Sequence, residues 1–209
     1  MTGKRGMRLV PRAFYARDPR RVARQLLGKV LVRRRSGKLR AGRIVEVEAY
    51  LGKGDAAAHA AAGLTPRNRV LFGAPGRAYV YFIYGNHYCL NVNCMRTGEA
   101  GCVLLRALEP LEGIPEMARA RGLKPVRGAP ALPWLRRLSS GPGRLCSALG
   151  VTRTRDNGKD LTSRRSDLAI YDDGFRPRRI LATPRIGIRK AAEMLLRYGI
   201  AGNEFVSQS

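Results

Sequence analysis

The chain has 209 residues, of which 44% are hydrophobic and 26% are charged; this suits one domain with a buried core and excludes a wholly disordered chain. Forty Lys and Arg residues stand against fifteen Asp and Glu residues, so the net charge is +25. No apolar run approaches the roughly 18 residues of a membrane span, and no apolar block like that of a secretory signal follows the basic start. We therefore expect a cytoplasmic protein that does not contact a membrane.

Cap and turn residues divide the chain into short elements. Asp18 followed by Pro19 is typical of a helix start, and this helix should close near Gly28. Further helices are predicted over residues 56–62, 115–121, 142–149 and 190–198, and strands over residues 29–34, 39–50, 78–84, 87–95, 101–109, 167–171 and 178–188. Residues 122–143 hold four prolines and little periodicity, which predicts a long surface loop.

The order of these elements predicts an α+β fold. We expect one mixed domain over residues 1–209, built on a curved, mostly antiparallel sheet with surrounding helices and a protruding β-hairpin. Residues 78–84 and 87–95 form the clearest hairpin, because Gly85-Asn86 supplies the two-residue turn that positive φ angles require. Residues 1–10 and 207–209 are expected to be mobile ends.

The net charge indicates a polyanionic partner. A surface this positive repels itself, and each phosphate that a basic side chain neutralises releases a counterion and strengthens binding. A solvated basic surface with no nucleic-acid partner would have the same composition. An acidic membrane fits less well, because no basic amphipathic helix with an aromatic face is evident.

The four cysteines are too few for a disulfide scaffold in a chain of this length. His87, Cys89 and Cys94 lie close together, but their spacing differs from that of paired zinc-binding cysteines. We therefore predict buried free thiols at Cys89, Cys94, Cys102 and Cys146, and no metal or other cofactor.

Residues 43–50 are the most informative strand, because acidic residues interrupt its apolar pattern. With a period of two, one face holds Arg43, Val45, Val47 and Ala49, and the other holds Ile44, Glu46, Glu48 and Tyr50. Two acids and a tyrosine on one face suit an acid–base site. The solvated face of a half-exposed strand explains the same pattern equally well.

Tyrosines crowd the first strand of the hairpin, at Tyr79, Tyr81 and Tyr84. Tyr84 stands at the tip, where an aromatic side chain on a basic protein can wedge between bases or stack on one. Ordinary strand packing is the alternative, since tyrosine favours strands in general. Asn91, inside the returning apolar strand, reads by itself as a satisfied core amide.

Two further residues, Arg106 and His59, are candidate functional residues by their individual settings in the sequence. Arg106 lies in an otherwise apolar strand, so its guanidinium requires a carboxylate or a phosphate as a partner. His59 lies in the alanine-rich segment after Asp55, where a lone histidine is more often structural than catalytic.

Taken in order, these segments resemble the alkyladenine (3-methyladenine) DNA glycosylase family. The matching segments are RIVEVEAYLG at 43–52, AAH at 57–59, TPRNR at 65–69, YVYFIYG at 79–85, Asn91, VLLRALEPLEG at 103–113, SGPGRLC at 140–146 and RIGI at 185–188. The similarity spans about residues 10–206. Several segments in the same order with matched spacing make a chance match improbable.

The resemblance implies an enzyme that scans the minor groove, flips a damaged purine out of duplex DNA and hydrolyses its N-glycosidic bond. Glu48 corresponds to the general base that activates water, and Arg106 to a positively charged residue on the pocket floor near that water. Glu46 is also acidic, and if it were the base the assignment would move by two residues on the same face.

The resemblance also implies the binding residues. Tyr50, His59 and Tyr81 correspond to the residues that sandwich and hydrogen-bond the flipped base, and Asn91 to the residue that crowds out the 2-amino group of guanine. Tyr84 corresponds to the wedge that fills the gap left in the stack. No lysine lies in the pocket segments, so we expect a monofunctional glycosylase without a lyase step. We further expect it to act as a monomer on damaged double-stranded DNA.

Two other interpretations of the function stay open. A non-enzymatic nucleic-acid-binding protein of the same fold explains the charge and the aromatic residues, but it does not explain Glu48, His59 and Arg106 as a set. A glycosidase or nucleosidase acting on small molecules would explain the carboxylates, but it does not explain the net charge or the aromatic side chain of Tyr84.

Overall fold

The computed structural model describes residues 6–83, 85–124, 126 and 128–207. The strands are β1 (Arg8–Leu9), β2 (Val30–Arg35), β3 (Lys38–Tyr50), β4 (Ala78–Ile83), β5 (His87–Asn93), β6 (Cys102–Glu112), β7 (Leu168–Asp172), β8 (Ile180–Thr183) and β9 (Arg197–Ile200). The helices are α1 (Arg12–Tyr15), α2 (Pro19–Leu26), α3 (Ile114–Ala120), α4 (Leu132–Ser139), α5 (Pro142–Leu149) and α6 (Arg153–Asp156), with one 3-10 turn at Arg69–Phe72.

All nine strands belong to one antiparallel sheet, which confirms the predicted α+β class. Its main order is β1-β7-β2-β3-β6-β5-β4, and β9 pairs with β3 and β8 beside this path. The long strand β3 pairs with β6 along one edge, while β2 covers the first half of its other edge and β9 the second half. Register shifts between β3 and β6 mark bulges, which bend strands and curve the sheet.

Several predicted elements are confirmed. Helix α2 begins where Asp18 accepts a hydrogen bond from the backbone of Arg20, with Pro19 in the first turn. Strands β2 and β3 are joined at Ser36-Gly37, and both turn residues have positive φ. The hairpin of β4 and β5 is confirmed and pairs from Ala78 with Val92 to Ile83 with His87. The predicted two-residue turn is wrong, because three positions separate Ile83 from His87, and Gly85 has a positive φ whereas Asn86 does not. Tyr84 lies outside the described residues, so its position in the hairpin remains a prediction.

The helix predicted over residues 56–62 is wrong: this segment is a succession of turns. Its backbone bonds run over three residues, from Ala61 to Ala58 and from Gly63 to Ala60. The side chain of Asn68 donates to the carbonyls of His59 and Gly63 and so draws the segment into a tertiary contact. That contact overrides the helical preference of the alanines.

The helix predicted over residues 190–198 is also wrong. Strand β9 begins at Arg197 because the backbone there completes the edge of β3, and the Ala49 N–H also donates to the Leu196 carbonyl. The loop predicted over residues 122–143 contains α4, which buries Leu138 in the core. The last predicted strand shortens to β8, and β6 continues past the expected stop at Pro110, which sits at a register shift opposite Gly42.

Strands β3 and β6 form the centre of the core, and α3, α4 and α5 pack on one side of them. The four cysteines are buried and free, as predicted. Over the described residues, no helix has the length and apolar character needed to cross a bilayer. The division into a single domain and the mobility of the ends remain predictions; Arg8–Leu9 pair with β7, and Ser207 bonds to Glu46.

Candidate active site

A cavity of about 390 Å³ opens where the carboxyl end of β3 meets β4, β5 and β6. This volume falls in the range of roughly 300–1,000 Å³ that is usual for small-molecule sites. Six of the predicted site residues line it: Glu48, Tyr50, His59, Tyr81, Asn91 and Arg106. Their roles are not tested by this placement, but the structure does bring all six together from four strands and one turn.

Glu48 is fully buried on the floor of the cavity. One carboxylate oxygen, Oε1, accepts from the Ile186 backbone N–H at 2.8 Å and lies 3.0 Å from Nη1 of Arg106. The other oxygen, Oε2, accepts from the Tyr50 hydroxyl at 2.9 Å. Two hydrogen bonds and one ion pair, from three separate segments, hold the carboxylate in one orientation and compensate its loss of water.

Glu46 shares the burial of Glu48 but not its position. Both are fully buried, so the solvated-face interpretation of this strand is wrong. Glu46 accepts hydrogen bonds from the side chains of Arg106, Arg197 and Ser207 and from the Ser207 backbone. It lines a separate hollow and does not reach the main cavity. The geometry therefore favours Glu48 over Glu46 as the acid that can meet a ligand.

Arg106 lies between the carboxylates of Glu46 and Glu48. These are the partners that a guanidinium group requires in an otherwise apolar strand. Its Nε donates to Glu46 at 3.1 Å, while its Nη1 faces Glu48. The pairing of β3 with β6 passes from Glu46 opposite Ala107 to Val47 opposite Leu105, so Arg106 is the extra residue of a bulge. Bulges redirect side chains next to active sites, and this one turns a guanidinium toward both acids.

Aromatic side chains form the wall of the cavity. The rings of His59 and Tyr81 lie edge to face with centroids 4.5 Å apart, and His59 Nδ1 shares a hydrogen bond of 2.9 Å with the Tyr79 hydroxyl. Burial raises the pKa values of Tyr81 and Tyr50 above their usual range, and for Tyr50 the charge of Glu48 raises it further. Both hydroxyls therefore keep their protons at neutral pH and can donate hydrogen bonds.

Asn91 lies deep in the cavity and is almost fully buried. Its Nδ2 donates to the Tyr79 carbonyl at 3.2 Å, and its Oδ1 lies 3.7 Å from the Cys102 sulfur. The Asn91 amide thus makes hydrogen bonds within the protein, as expected of a core amide, and part of its surface also lines the cavity. The core and pocket interpretations of this residue are both compatible with the structure.

The sequence as a whole is similar to one known protein family. The methylpurine-DNA glycosylase family matches residues 13–204. The chain belongs to this family. A protein of Koribacter versatilis (strain Ellin345) is 61% identical over 198 residues, which cover 95% of this chain and 92% of that protein. Proteins of Burkholderia orbicola (strain MC0-3) and Rhodopseudomonas palustris (strain BisB18) are 48% and 47% identical, covering 95% and 94% of this chain and 91% and 90% of theirs. All three are named, provisionally, 3-methyladenine DNA glycosylases.

One structural support of this cavity is missed by sequence reasoning. Asp55 and Arg185 form a fully buried ion pair, with Nη1 and Nη2 of Arg185 donating to the two carboxylate oxygens at 2.6 and 2.8 Å. The Arg185 guanidinium lies 4.6 Å from the Tyr50 ring centroid, and the next residue, Ile186, donates to Glu48. The segment RIGI was recognisable, but no local pattern indicates a partner 130 residues away.

Burial, and secondarily the charge of Arg67, lowers the pKa of His59 from its ordinary 6.5. The unfolded chain therefore binds this proton at a higher pH than the folded protein, and stability falls as pH drops through about 6.5. We expect His59→Gln to lose less unfolding free energy than the wild type between about pH 7.5 and about pH 5.5. Urea titrations at both pH values check this, with His87→Gln as the control for the other histidine. Equal losses in wild type and His59→Gln would contradict the expectation.

Proposed function

We propose that this protein is a monofunctional DNA glycosylase that flips alkylated or deaminated purines out of duplex DNA and hydrolyses their N-glycosidic bond, leaving an abasic site. The observation that carries the proposal is a buried carboxylate, Glu48, held by two hydrogen bonds and an ion pair on the floor of an aromatic-walled cavity. Family membership and the names of the three relatives support the same reaction class.

The cavity suits a flat, extrahelical base. Tyr81 and His59 form one wall of the cavity, and Tyr50 also lines it. Arg185 covers one face of the Tyr50 ring but does not itself line the cavity. A base that leaves the duplex loses its stacking, which costs a few kcal/mol and least for damaged or mispaired bases. Aromatic contacts in the cavity offset that cost by about 1–3 kcal/mol per base.

Glu48 performs the chemistry on the sugar side of the bond. As the C1′–N bond breaks, its electron pair leaves with the purine and positive charge develops on the sugar, where a fixed carboxylate stabilises it. A water oxygen then bonds to C1′, and Glu48 accepts the proton that the water releases. Arg106, Tyr50 and the Ile186 N–H keep the carboxylate oriented throughout.

The lesion determines how the base departs. A purine methylated at N3 or N7 is already cationic and leaves as a neutral base. A neutral lesion such as hypoxanthine must gain a proton before it leaves, so its excision should depend more strongly on pH. Among the cavity-lining residues that the structure describes there is no lysine, which supports hydrolysis rather than a Schiff-base lyase step.

Access to the base requires a basic surface that meets the phosphate backbone. We propose approach from the minor groove, with Tyr84 as the wedge, by a monomer that acts in the cytoplasm. Exposed Arg67 and Arg153 flank a shallow hollow beside Tyr81 and Phe82 at the edge of the site. Two guanidinium groups in this position are suited to phosphates that flank the flipped nucleotide.

Arg67→Ser is therefore expected to weaken binding of every duplex by a similar factor and to reduce the salt slope, the change of log K with log salt concentration, by about one. Fluorescence anisotropy at several salt concentrations measures this slope. Arg35→Ser is the matched control, because this exposed arginine is at the opposite end of β3, where the β2–β3 hairpin turns. Equal slopes for both variants would place the phosphate contact elsewhere.

Single-turnover base release tests the function itself. Duplexes carrying hypoxanthine, ethenoadenine, 3-methyladenine or 7-methylguanine are incubated with excess protein, with an undamaged duplex as the control. We expect release from at least one damaged duplex and an intact abasic site as the product. Binding without release from any of them would favour a non-enzymatic nucleic-acid-binding protein, which the charge of +25 also suits.

A further inference from the structure

A further buried ion pair, between Arg197 and Glu46, lies behind the floor of the cavity. Arg197 on β9 lies directly opposite Glu48 in the sheet, yet its Nη1 donates to Glu46 at 3.1 Å. Its Nε donates to the Pro184 carbonyl, and the whole residue is 6% exposed. Neither Arg197 nor Glu46 lines the main cavity, so neither contacts a ligand there.

Three ion pairs link Arg197, Glu46, Arg106 and Glu48 in a chain, in which the arginines share the Glu46 carboxylate and the acids share the Arg106 guanidinium. Oε1 of Glu46 accepts from both Arg197 and Arg106, while Arg106 also reaches Glu48. Two carboxylates and two guanidinium groups give this cluster a formal charge of zero. Because both acids are fully buried and both arginines are less than a tenth exposed, water screens these charges poorly.

The C-terminal segment holds Glu46 in place. The backbone N–H of Ser207 donates to Oε2 at 2.9 Å, and the Ser207 hydroxyl donates to the same oxygen. With Oε2 occupied, Oε1 is the oxygen that both arginines share. Glu46 therefore competes with Glu48 for the charge of Arg106, and Arg197 limits that competition.

We infer that Glu46 and Arg197 are positioning residues that set, through Arg106, the charge that Glu48 experiences. This inference rests on the proposed function, in which Glu48 accepts a proton from water. Losing the negative charge of Glu46 leaves the cluster at +1 and stabilises ionised Glu48. Losing the positive charge of Arg197 leaves it at −1 and has the opposite effect.

Other titratable and charged groups also face this region. They are Tyr50 on β3, Tyr81 on β4, His87 and Cys89 on β5, the Asp55–Arg185 pair, and His59. None of them contacts Glu46 or Arg197 in the described hydrogen bonds and ion pairs, so the two substitutions leave their contacts unchanged.

The pH dependence of excision tests the inference. The substrate is duplex DNA treated with a methylating agent, because its N3-methyladenine and N7-methylguanine leave without further protonation and the acidic limb then reports the base. We expect Glu46→Gln to move the midpoint of that limb to lower pH by about one unit, and Arg197→Met to move it to higher pH by a similar amount. Unmoved midpoints, or shifts in the same direction, would overturn the inference.

Two further variants make the result independent of folding losses. The double variant Glu46→Gln, Arg197→Met has no net charge change and no unpaired buried charge, so it should fold and return to the wild-type midpoint. Asp156→Asn removes an acid from the Arg33–Asp156 pair, which is equally buried but does not line the cavity. It should lower stability and leave the midpoint in place. A displaced midpoint in either variant counts against the inference, whereas a wild-type protein that releases no base contradicts the proposed function instead.

Discussion

Glu48→Gln is expected to reduce single-turnover base release by a factor of about 10³ or more, near the upper part of the range for loss of a general base. The amide cannot accept a proton from water and carries no negative charge to stabilise the sugar as the base leaves. The substitution keeps the size of the side chain, and its oxygen can still accept from the Ile186 N–H. Binding to damaged duplex should therefore stay within a few-fold of the wild type.

A matched control separates the position of Glu48 from its charge. Glu99→Gln removes one negative charge from an exposed site and should release bases at the wild-type rate. Release by Glu48→Gln at a comparable rate would remove Glu48 from the mechanism. Loss of binding together with release would instead show that Glu48 supports the structure of the cavity.

The site could be read from the sequence to the extent that its residues lie in short, contiguous segments. Glu48 and Tyr50 occupy one strand with its period of two, and Tyr81 and Asn91 occupy a hairpin with a clear turn signal. The alternation of side chains along β3 could not show that Glu46 and Glu48 are both fully buried. The arginines that compensate their charges, Arg106 and Arg197, come from β6 and β9. Those partners depend on tertiary pairing, which no local pattern encodes.

The errors in the fold have the same origin. Residues 56–62 and 190–198 have helical composition, but contacts with Asn68 and with β3 determine their backbone. The bulge at Arg106 is also invisible in sequence, since the apolar residues around it predict only a continuous strand. Tertiary contacts decided each of these cases against the local preference.

The buried pair of Asp55 and Arg185 gives the largest expected effect on stability. Asp55→Ala leaves the Arg185 guanidinium buried without a counter-charge, which should cost about 3–5 kcal/mol of unfolding free energy. Urea unfolding measures this loss. Glu116→Ala breaks the exposed pair with Arg119 and, as the control, should cost about 0–1 kcal/mol.

The same pair also gives a pH signature. Burial alone would raise the pKa of Asp55, but hydrogen bonds from Arg185 and from the Leu51 backbone outweigh burial and lower it below 3.8. The folded protein therefore binds this proton at lower pH than the unfolded chain, so the stabilisation is present above about pH 4 and is lost as pH falls through the lowered pKa. Asp55→Ala should lack this component of acid denaturation.

The pair further links stability to chemistry. Arg185 lies against Tyr50 and precedes Ile186, and both of those residues donate to Glu48. Asp55→Ala should therefore slow base release in the fraction that remains folded, because both hydrogen-bond donors to Glu48 lose their support. The double variant Asp55→Ala, Arg185→Met removes the unpaired charge and should recover most of the stability but not the rate. Recovery of both would show that the pair only stabilises the fold.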